Sequence, residues 1–290
     1  MPLSNTPAIS VIIPAFNHEN YITTCLNSLN DAYTGLIEVI ICDDFSNDKT
    51  VDKIEIFIEE NLRNNINIKL IKHISNMGVT TTLNHCLREV TSDYIYVIAS
   101  DDFIVKNGLT IAMQKLLNDN VDAVISDCHV VNDRNEIIFE SAFLDYRKSS
   151  LSRLRKNIKD ELVFNWVVPG PSLLIRKDVY KDIGLYNENL MAEDRDFYLR
   201  LISQKKTIFN ESCIACYRVH DSNFSKNEVY QRKKELEFAR VNYSYFSKFN
   251  GVCRLYLMSY KLDLTGWSSI SNSLRKMLKL CYYLMNGIYR

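Results

Sequence analysis

The chain has no net charge to spare: Lys plus Arg and Asp plus Glu stand at 35 each in 290 residues. That balance excludes a chain coated in basic residues for nucleic acid, so functional charge must be local. No run of roughly 18 or more apolar residues, the length needed to cross a bilayer, is found. The opening Met1 to Ala8 is polar and carries proline, and it lacks the apolar stretch of a secretory signal. There is no internal repeat and no low-complexity tract. Cys25, Cys42, Cys86, Cys128, Cys213, Cys216, Cys253 and Cys281 are scattered, several inside apolar runs, as reduced cysteines serving as small hydrophobes would be. The expectation is a cytoplasmic protein in a reducing compartment, built as one large α/β domain or a catalytic domain with a smaller appendage.

What is present is an alternation of apolar runs and amphipathic segments. Ile9 to Ile13 reads as a buried strand stopped at Pro14, and Tyr21, Cys25, Leu26 and Leu29 then share one helical face. Ile37 to Cys42 is a second strand, ending in the polar cluster Asp43 to Asp48. Val51, Ile54, Phe57 and Ile58 follow at helical spacing. A strand around Ile68 to Ile71, a helix over Thr80 to Val90 and a strand over Tyr94 to Ala99 continue the pattern. This is the grammar of a parallel sheet with crossover helices, and such sheets bind ligands at the carboxyl ends of their strands. After the strand Val121 to Ser126, Asn132 to Asn135 reads as a turn between two strands. Phe139 to Trp166 mixes charged and apolar residues and suits helical or mobile insertions. From Asp221 onward the chain reads as helical. Gly251 to Arg290 carries six Lys or Arg against one Asp.

The residues with chemistry in them gather at strand ends. Ala99-Ser100-Asp101-Asp102 closes the fourth strand with adjacent acids, which repel one another and when buried need partners. Mg²⁺ or Mn²⁺ would be such a partner, taking oxygen ligands and bridging to phosphates. A solvated turn that caps a helix is the other reading. Glu193-Asp194 precedes the apolar positions Phe197, Leu201 and Ile202, which places Asp194 in a first helical turn, where the helix dipole stabilises a carboxylate.

Taken in order, these pieces resemble the family-2 glycosyltransferases. The resemblance covers residues 9 to about 225 and is carried by Ser10-Val11-Ile12-Ile13-Pro14-Ala15-Phe16-Asn17 and Glu38 to Thr50. It continues through Asn76-Met77-Gly78 with Asn84, Ser100-Asp101-Asp102, Glu193-Asp194 and Tyr217-Arg218-Val219-His220. Two positions depart from the family pattern. Ala99 stands where an acid is frequent, and Leu83 where an arginine is common. The resemblance implies an α/β GT-A fold, with a Rossmann-like, mostly parallel central sheet flanked by helices and a helical C-terminal extension. It divides the chain into a catalytic domain over residues 1–225, with nucleotide-sugar binding over about 1–125 and the acceptor and catalytic part over about 126–225, and a helical region over 226–290.

By the same resemblance the chain is a metal-dependent inverting glycosyltransferase that moves a sugar from a nucleotide diphosphate donor to a saccharide or lipid-linked hydroxyl acceptor, in bacterial surface glycan synthesis. Pro14, Ala15, Phe16, Asn17, Asp43, Asp44, Asn76, Gly78, Ser100 and Asp101 would bind the nucleotide sugar. An acidic loop that meets an imide N–H favours a UDP-sugar. Asp102 and His220 would hold Mn²⁺ or Mg²⁺, Asp194 would be the catalytic base, and Glu193 would orient the acceptor. Trp166, Gly170 and Pro171 would meet the acceptor.

Plainer readings stand beside these. Asp43 and Asp44 also suit a turn and helix-cap cluster, Gly78 a plain turn, Glu193-Asp194 a helix cap, His220 a surface histidine, Pro169-Gly170-Pro171 a rigid turn, and Trp166 a core residue. Cys213, Cys216 and His220 invite zinc but lack a fourth ligand. The helix bearing Leu274, Met277, Leu278, Cys281 and Leu284 would lie on the inner face of the cytoplasmic membrane, pack on the catalytic domain, or join two copies in a homodimer. Two rivals remain. A sugar nucleotidyltransferase would need a glycine-rich basic loop after the first strand, and Pro14 to Glu19 has neither glycine nor lysine. A nucleotide-sugar-binding assembly protein would bind without turnover.

Overall fold

The computed structural model describes residues 6–61, 67–220 and 231–286. They form two compact units that alternate along the chain. The first takes Met1–Lys148, Val168–Leu185 and Lys206–His220, and the second takes Ser149–Val167, Tyr186–Lys205 and Asp221–Arg290. The expected boundary near residue 225, and the start of the expected C-terminal helical region over 221–230, lie outside the described residues.

The first unit is a sheet covered by helices. Its strands are β1 (Ile9–Ala15), β2 (Ile37–Asp43), β3 (Asn67–Lys72), β4 (Tyr94–Val97), β5 (Phe103–Ile104), β6 (Ala123–Val131), β7 (Ile137–Phe139), β8 (Leu173–Arg176) and β9 (Thr207–Arg218). They run in the order β3-β2-β1-β4-β8-β6-β9-β5, with β7 on β6. The block from β3 to β4 is wholly parallel, as its crossover helices Ile22–Ser28, Thr50–Asn61 and Val79–Glu89 require. The other half is mixed: β8 is antiparallel to β4 and β6, β9 is parallel to β6, and β5 is antiparallel to β9.

Burial explains the lengths of these runs. β1 lies between β2 and β4 with a helix layer on each side, so Ile9, Val11, Ile12 and Ile13 are all fully buried and the strand reads as an apolar run broken only by the equally buried Ser10. At the edge, β3 puts Lys69 and Lys72 outward, which blocks further pairing. β6 reaches well past the expected Ser126, and its pairing with β9 slips at Ser126–Asp127–Cys128. Where β9 passes the helix Gly108–Asn118, only glycine fits at position 108, because a Cβ there would sit 2.1 Å from the Ile214 carbonyl oxygen. That close approach helps fix the course of β9, which ends at Arg218.

The second unit is helical: Leu151–Phe164, Glu193–Gln204, Gln231–Ser244, Gly251–Ser259, Lys261–Leu264 and Ser268–Met285. Two buried charges tie it together. Arg195 donates to the carbonyls of Leu162 (2.6 Å) and Val163 (3.1 Å) and to Asn242 Oδ1. Glu161 accepts from Arg153 Nε (3.0 Å), Ser149 Oγ (2.9 Å) and Tyr283 OH (3.0 Å). Buried ions with this many hydrogen-bond partners are tolerable, and loss of one partner is costly. In the last helix only part of the expected apolar stripe is covered. Leu278 and Tyr283 are buried, whereas Met277, Cys281 and Leu284 are exposed. No described helix is long and apolar enough to cross a membrane.

Candidate functional site

The polar loops expected to take the nucleoside are stitched into one layer at the carboxyl ends of β1 and β2. Asn17, in the left-handed region at φ 52°, donates its N–H to Ser46 Oγ (2.9 Å) and accepts from Asn47 N–H through Oδ1 (2.8 Å). Asp43 accepts from Ser46 N–H (2.9 Å) and Ser46 Oγ (2.6 Å), closing a local turn. Asp44 N–H donates to the Ala15 carbonyl (2.8 Å). The Asp44 carboxylate in turn sits at the start of the helix Val79–Glu89, accepting from Met77 N–H (2.7 Å) and Gly78 N–H (2.8 Å), where the helix dipole favours negative charge. Asn76 reaches the Asp44 carbonyl (3.4 Å). Pro14, Ala15, Asn17, Asp43, Asp44, Asn76 and Gly78 therefore come together. Phe16 and Met77 are exposed beside them. Both acids are almost wholly buried and organise the loops. The positive φ of Gly78 (85°) lets the chain turn into the helix.

At the end of β4 the second cluster forms. His220, just past β9, places Nε2 2.9 Å from Asp101 Oδ2. His18, in the loop after β1, places Nδ1 2.7 Å from Ser100 Oγ and 3.8 Å from Asp101 Oδ1. The ligand atoms of His18, Asp101 and His220 all lie within 4.8 Å of one another. Tyr21 stacks on His220, ring centroids 5.0 Å apart. Asp102 is held separately, its Oδ1 accepting from the backbone N–H of Arg218 (2.8 Å). Arg218 is itself buried, donating from Nε to the Asp101 carbonyl (2.7 Å) and packing its guanidinium over Tyr21. Gly170 lies next to Asp102: a Cβ on it would be 3.4 Å from Asp102 Oδ2. The Pro171 carbonyl accepts from Tyr96 OH (2.7 Å).

These surroundings split the two acids. Burial pushes the Asp102 carboxyl well up, and the Asp101 charge adds to this against the pull of Arg218. Burial opposes ionisation of Asp101 as well, yet the His220 hydrogen bond and the nearby His18 outweigh it and hold Asp101 below the usual carboxylate range. Burial also draws His18 down, partly offset by Asp101. Two imidazole nitrogens and a carboxylate that converge, with a destabilised second carboxylate alongside, are a donor set that fits a divalent cation.

The expectation joined His220 to Asp102; the structure joins it to Asp101. His18 and Arg218 were not assigned roles from sequence. The signal for His18 was its place in the loop after the first strand, at the edge where parallel sheets bind ligands. Cys213, Cys216 and His220, the set that invited zinc, do not converge as a metal-capable cluster among the described residues.

Glu193 and Asp194 open the helix Glu193–Gln204 of the second unit, both in its first turn. Glu193 is half-buried. Burial, then the charges of Asp194 and Glu237, raise its carboxyl to about 8 against Lys234. Asp194 is exposed and accepts from Arg195 N–H (2.6 Å). Trp166, also in the second unit, is half-buried against Tyr198 (5.1 Å between centroids), with the Arg195 guanidinium 5.2 Å from its ring. Its packing reading thus has contacts to name.

Known proteins align with this arrangement. Residues 10–184 match the family described as Glycosyl transferase family 2. An uncharacterized glycosyltransferase of Rickettsia typhi is 25% identical over 78% of this chain and 68% of its own length. The poly(ribitol-phosphate) beta-N-acetylglucosaminyltransferase TarS of Staphylococcus aureus (strain Mu50) is 33% identical over 66% of this chain, which spans 32% of that enzyme. The Escherichia coli beta-1,3-glucosyltransferase WfgD, whose name gives UDP-Glc as donor and a diphosphoundecaprenol-linked GlcNAc as acceptor, is 25% identical over 78% of this chain and 83% of its own. In fold, the chain is similar to S. aureus TarS 1–349 solved with UDP-GlcNAc (TM-score 0.65, 20% identity, covering 88% of this chain and 72% of that one). A mannosyltransferase from Pyrobaculum calidifontis, solved with GDP-Man and Mn²⁺, superposes at a TM-score of 0.62 with 16% identity, covering 99% of this chain and 82% of the other. The sheet with its flanking helices is the GT-A fold, and the chain belongs to glycosyl transferase family 2.

Proposed function

We propose that this chain is an inverting glycosyltransferase that transfers a sugar from a UDP-sugar to a hydroxyl of a saccharide or lipid-linked saccharide, in the synthesis of a bacterial surface glycan. The observation that carries the reading is the convergence of His18, Asp101 and His220, beside Asp102, at the strand ends next to the loop layer of Asn17, Asp43 and Asp44. Asp101 and Ser100 face the donor's ribose or sugar, and the loops from Pro14 to Asn17 and Asn76 to Gly78 enclose the nucleoside. Asp102 and His220, with His18 and Asp101 at hand, would hold Mn²⁺ or Mg²⁺. The nitrogen donors favour Mn²⁺, since Mg²⁺ prefers oxygen ligands. When bound, the cation supplies positive charge for the departing diphosphate.

Asp194 takes the proton from the acceptor hydroxyl as that oxygen attacks the anomeric carbon, so one displacement inverts the configuration and no covalent sugar-enzyme species forms. Glu193, held up to about 8, is protonated at neutral pH and serves as a hydrogen-bond donor that orients the acceptor. Trp166, Gly170 and Pro171 are proposed acceptor contacts. The exposed Met277, Leu280, Leu284 and Met285 of the last helix, with Lys276 among them, suit contact with an anionic lipid surface on the cytoplasmic side. The printed names of TarS and WfgD support an acceptor in cell-surface polymer synthesis.

The test is a donor screen with Mn²⁺, reading release of nucleoside diphosphate with and without acceptor panels. Turnover of a UDP-sugar, abolished by chelation, is expected. UDP bound tightly with no turnover of any donor would make the chain a binding protein, and preference for GDP-mannose would remove the UDP assignment.

A further inference from the structure

A second convergence of metal-binding side chains lies outside the proposed reaction machinery. Cys42, at the end of β2, places Sγ 3.3 Å from His73 Nε2. His73 Nε2 is in turn 2.8 Å from Nδ1 of His85, on the helix Val79–Glu89. The three ligand atoms lie within 4.8 Å of one another, with Cys42 buried and the two imidazoles half-buried. The Cys86 thiol, also buried, hydrogen-bonds with Cys42.

The fourth side of this arrangement sets its chemistry. His73 Nδ1 is 2.8 Å from Asp44 Oδ1. A carboxylate only accepts, so the Nδ1 of His73 carries the proton and its Nε2 lone pair points at the sulfur of Cys42 and the Nδ1 of His85. One lone pair therefore faces two neighbouring groups that could each donate to it or offer electron pairs of their own. A carboxylate behind a histidine, with the remote nitrogen left free, is the outer-shell arrangement that orients a metal-bound imidazole and raises its basicity. Tetrahedral Zn²⁺, with Zn–S near 2.3 Å and Zn–N near 2.0–2.1 Å, sets sulfur to nitrogen at roughly 3.5 Å and nitrogen to nitrogen at roughly 3.3 Å. The Cys42–His73 and His73–His85 spacings are within about 0.5 Å of these, a change that a half-buried His85 makes by a small rotation.

We propose that Cys42, His73 and His85 form a binding site for a soft divalent cation, Zn²⁺ foremost, with its fourth position open. Binding exchanges the thiol proton for the metal: Cys42 S–H releases H⁺ to solvent and the thiolate, the His73 Nε2 and the His85 Nδ1 each donate an electron pair. No redox change is involved. The same cation holds His73, and through it Asp44 and the Met77–Gly78 turn, so occupancy of this site stiffens the loop layer independently of the ion proposed for the donor diphosphate.

Co²⁺ titration of the metal-stripped full-length chain tests this, because Co²⁺ bound to a thiolate absorbs in the near ultraviolet by sulfur-to-metal charge transfer and a carboxylate–imidazole site does not. The expected result is a saturable charge-transfer band, displaced by Zn²⁺. It persists in His220→Ala, which disables the other cluster, and disappears in Cys42→Ser. In His85→Ala the affinity falls about tenfold or more. Absence of the band in the wild-type chain overturns the proposal, as does a band that survives Cys42→Ser, since another thiol would then be the ligand. If Cys42→Ser fails to fold by circular dichroism, His85→Ala decides alone: an unchanged titration curve overturns the site and a weakened one supports it.

Discussion

Two pairs of neighbouring acids, Asp101-Asp102 in the sheet unit and Glu193-Asp194 in the helical unit, look alike in sequence and are treated differently by the fold. In each pair one carboxyl is pushed up by burial and by its neighbour's charge: Asp102 in the first, Glu193 in the second. The remaining member is provided for in opposite ways. Asp101 is buried and leans on His220 and His18, a setting that welcomes a cation. Asp194 is exposed at a helix start, with Arg195 N–H as a partner, a setting that lets a carboxylate meet an incoming hydroxyl. On the proposed reading adjacent acids are one signal for two chemistries, and the surroundings rather than the dipeptide would decide between metal binding and proton transfer.

The sharpest way to break that contrast is Asp194→Asn. An exposed residue leaves folding intact, and loss of a general base lowers transfer by about 10³-fold, with UDP affinity unchanged. Single-turnover assays at saturating donor read this directly. Full turnover in the variant would mean that Asp194 only caps its helix.

Glu193→Gln probes the other member of the pair through stability. The folded carboxyl titrates at about 8, against an ordinary value of 4.5. The folded state therefore holds a proton that the unfolded chain releases between those two values, and stability from this group is full below pH 4.5 and is lost as the pH rises through 8. The wild-type chain should lose stability across that window relative to the variant, which is roughly 2 kcal/mol the more stable at pH 9. That figure is set below the full shift because water screens a half-buried group. Urea unfolding of both proteins at pH 5 and pH 9 measures it, and parallel pH profiles would show that Glu193 is not held protonated.

How far was this contrast visible in the chain itself? Strands buried on both faces were legible, because β1 and β2 read as short apolar runs, interrupted only by Ser10 and Glu38 before their polar ends. Helices such as Val79–Glu89 were legible within a residue of their ends. So was the clustering of polar residues at the strand ends. The pairing of His220 with Asp101 was not, because it depends on where the end of β9 lands 119 residues away. His18 was hidden for the same reason: its partner Ser100 is 82 residues off. The alternation of the two units was equally invisible, since Trp166 and Gly170 are four residues apart and belong to different units. Local pattern reports periodicity well and long-range pairing hardly at all.

On the cation side of the comparison, His220→Ala should raise the Mn²⁺ concentration for half-maximal activity by about tenfold or more, because a proposed ligand is lost while Asp101 and Asp102 remain. His18→Ala should do the same to a smaller degree, since His18 stands 3.8 Å from Asp101 and is tied first to Ser100. A metal requirement unmoved by both substitutions would return the cluster to a purely structural role.

The smallest effect is expected at Gly170. An alanine Cβ would lie 3.4 Å from Asp102 Oδ2, an ordinary contact distance, and the residue is exposed, so unfolding stability should change by less than about 0.5 kcal/mol. What the methyl group does change is the surroundings of an acid whose ionisation burial already opposes. It removes room for water on the Gly170 side of Oδ2 and so makes ionisation slightly harder still. If Asp102 must shed its proton to hold the cation, Gly170→Ala should raise the Mn²⁺ requirement by less than about threefold and most clearly at low pH, where proton and metal compete. A drop in turnover with the Mn²⁺ requirement unchanged would instead place Gly170 against the acceptor, which is the role its resemblance first implied.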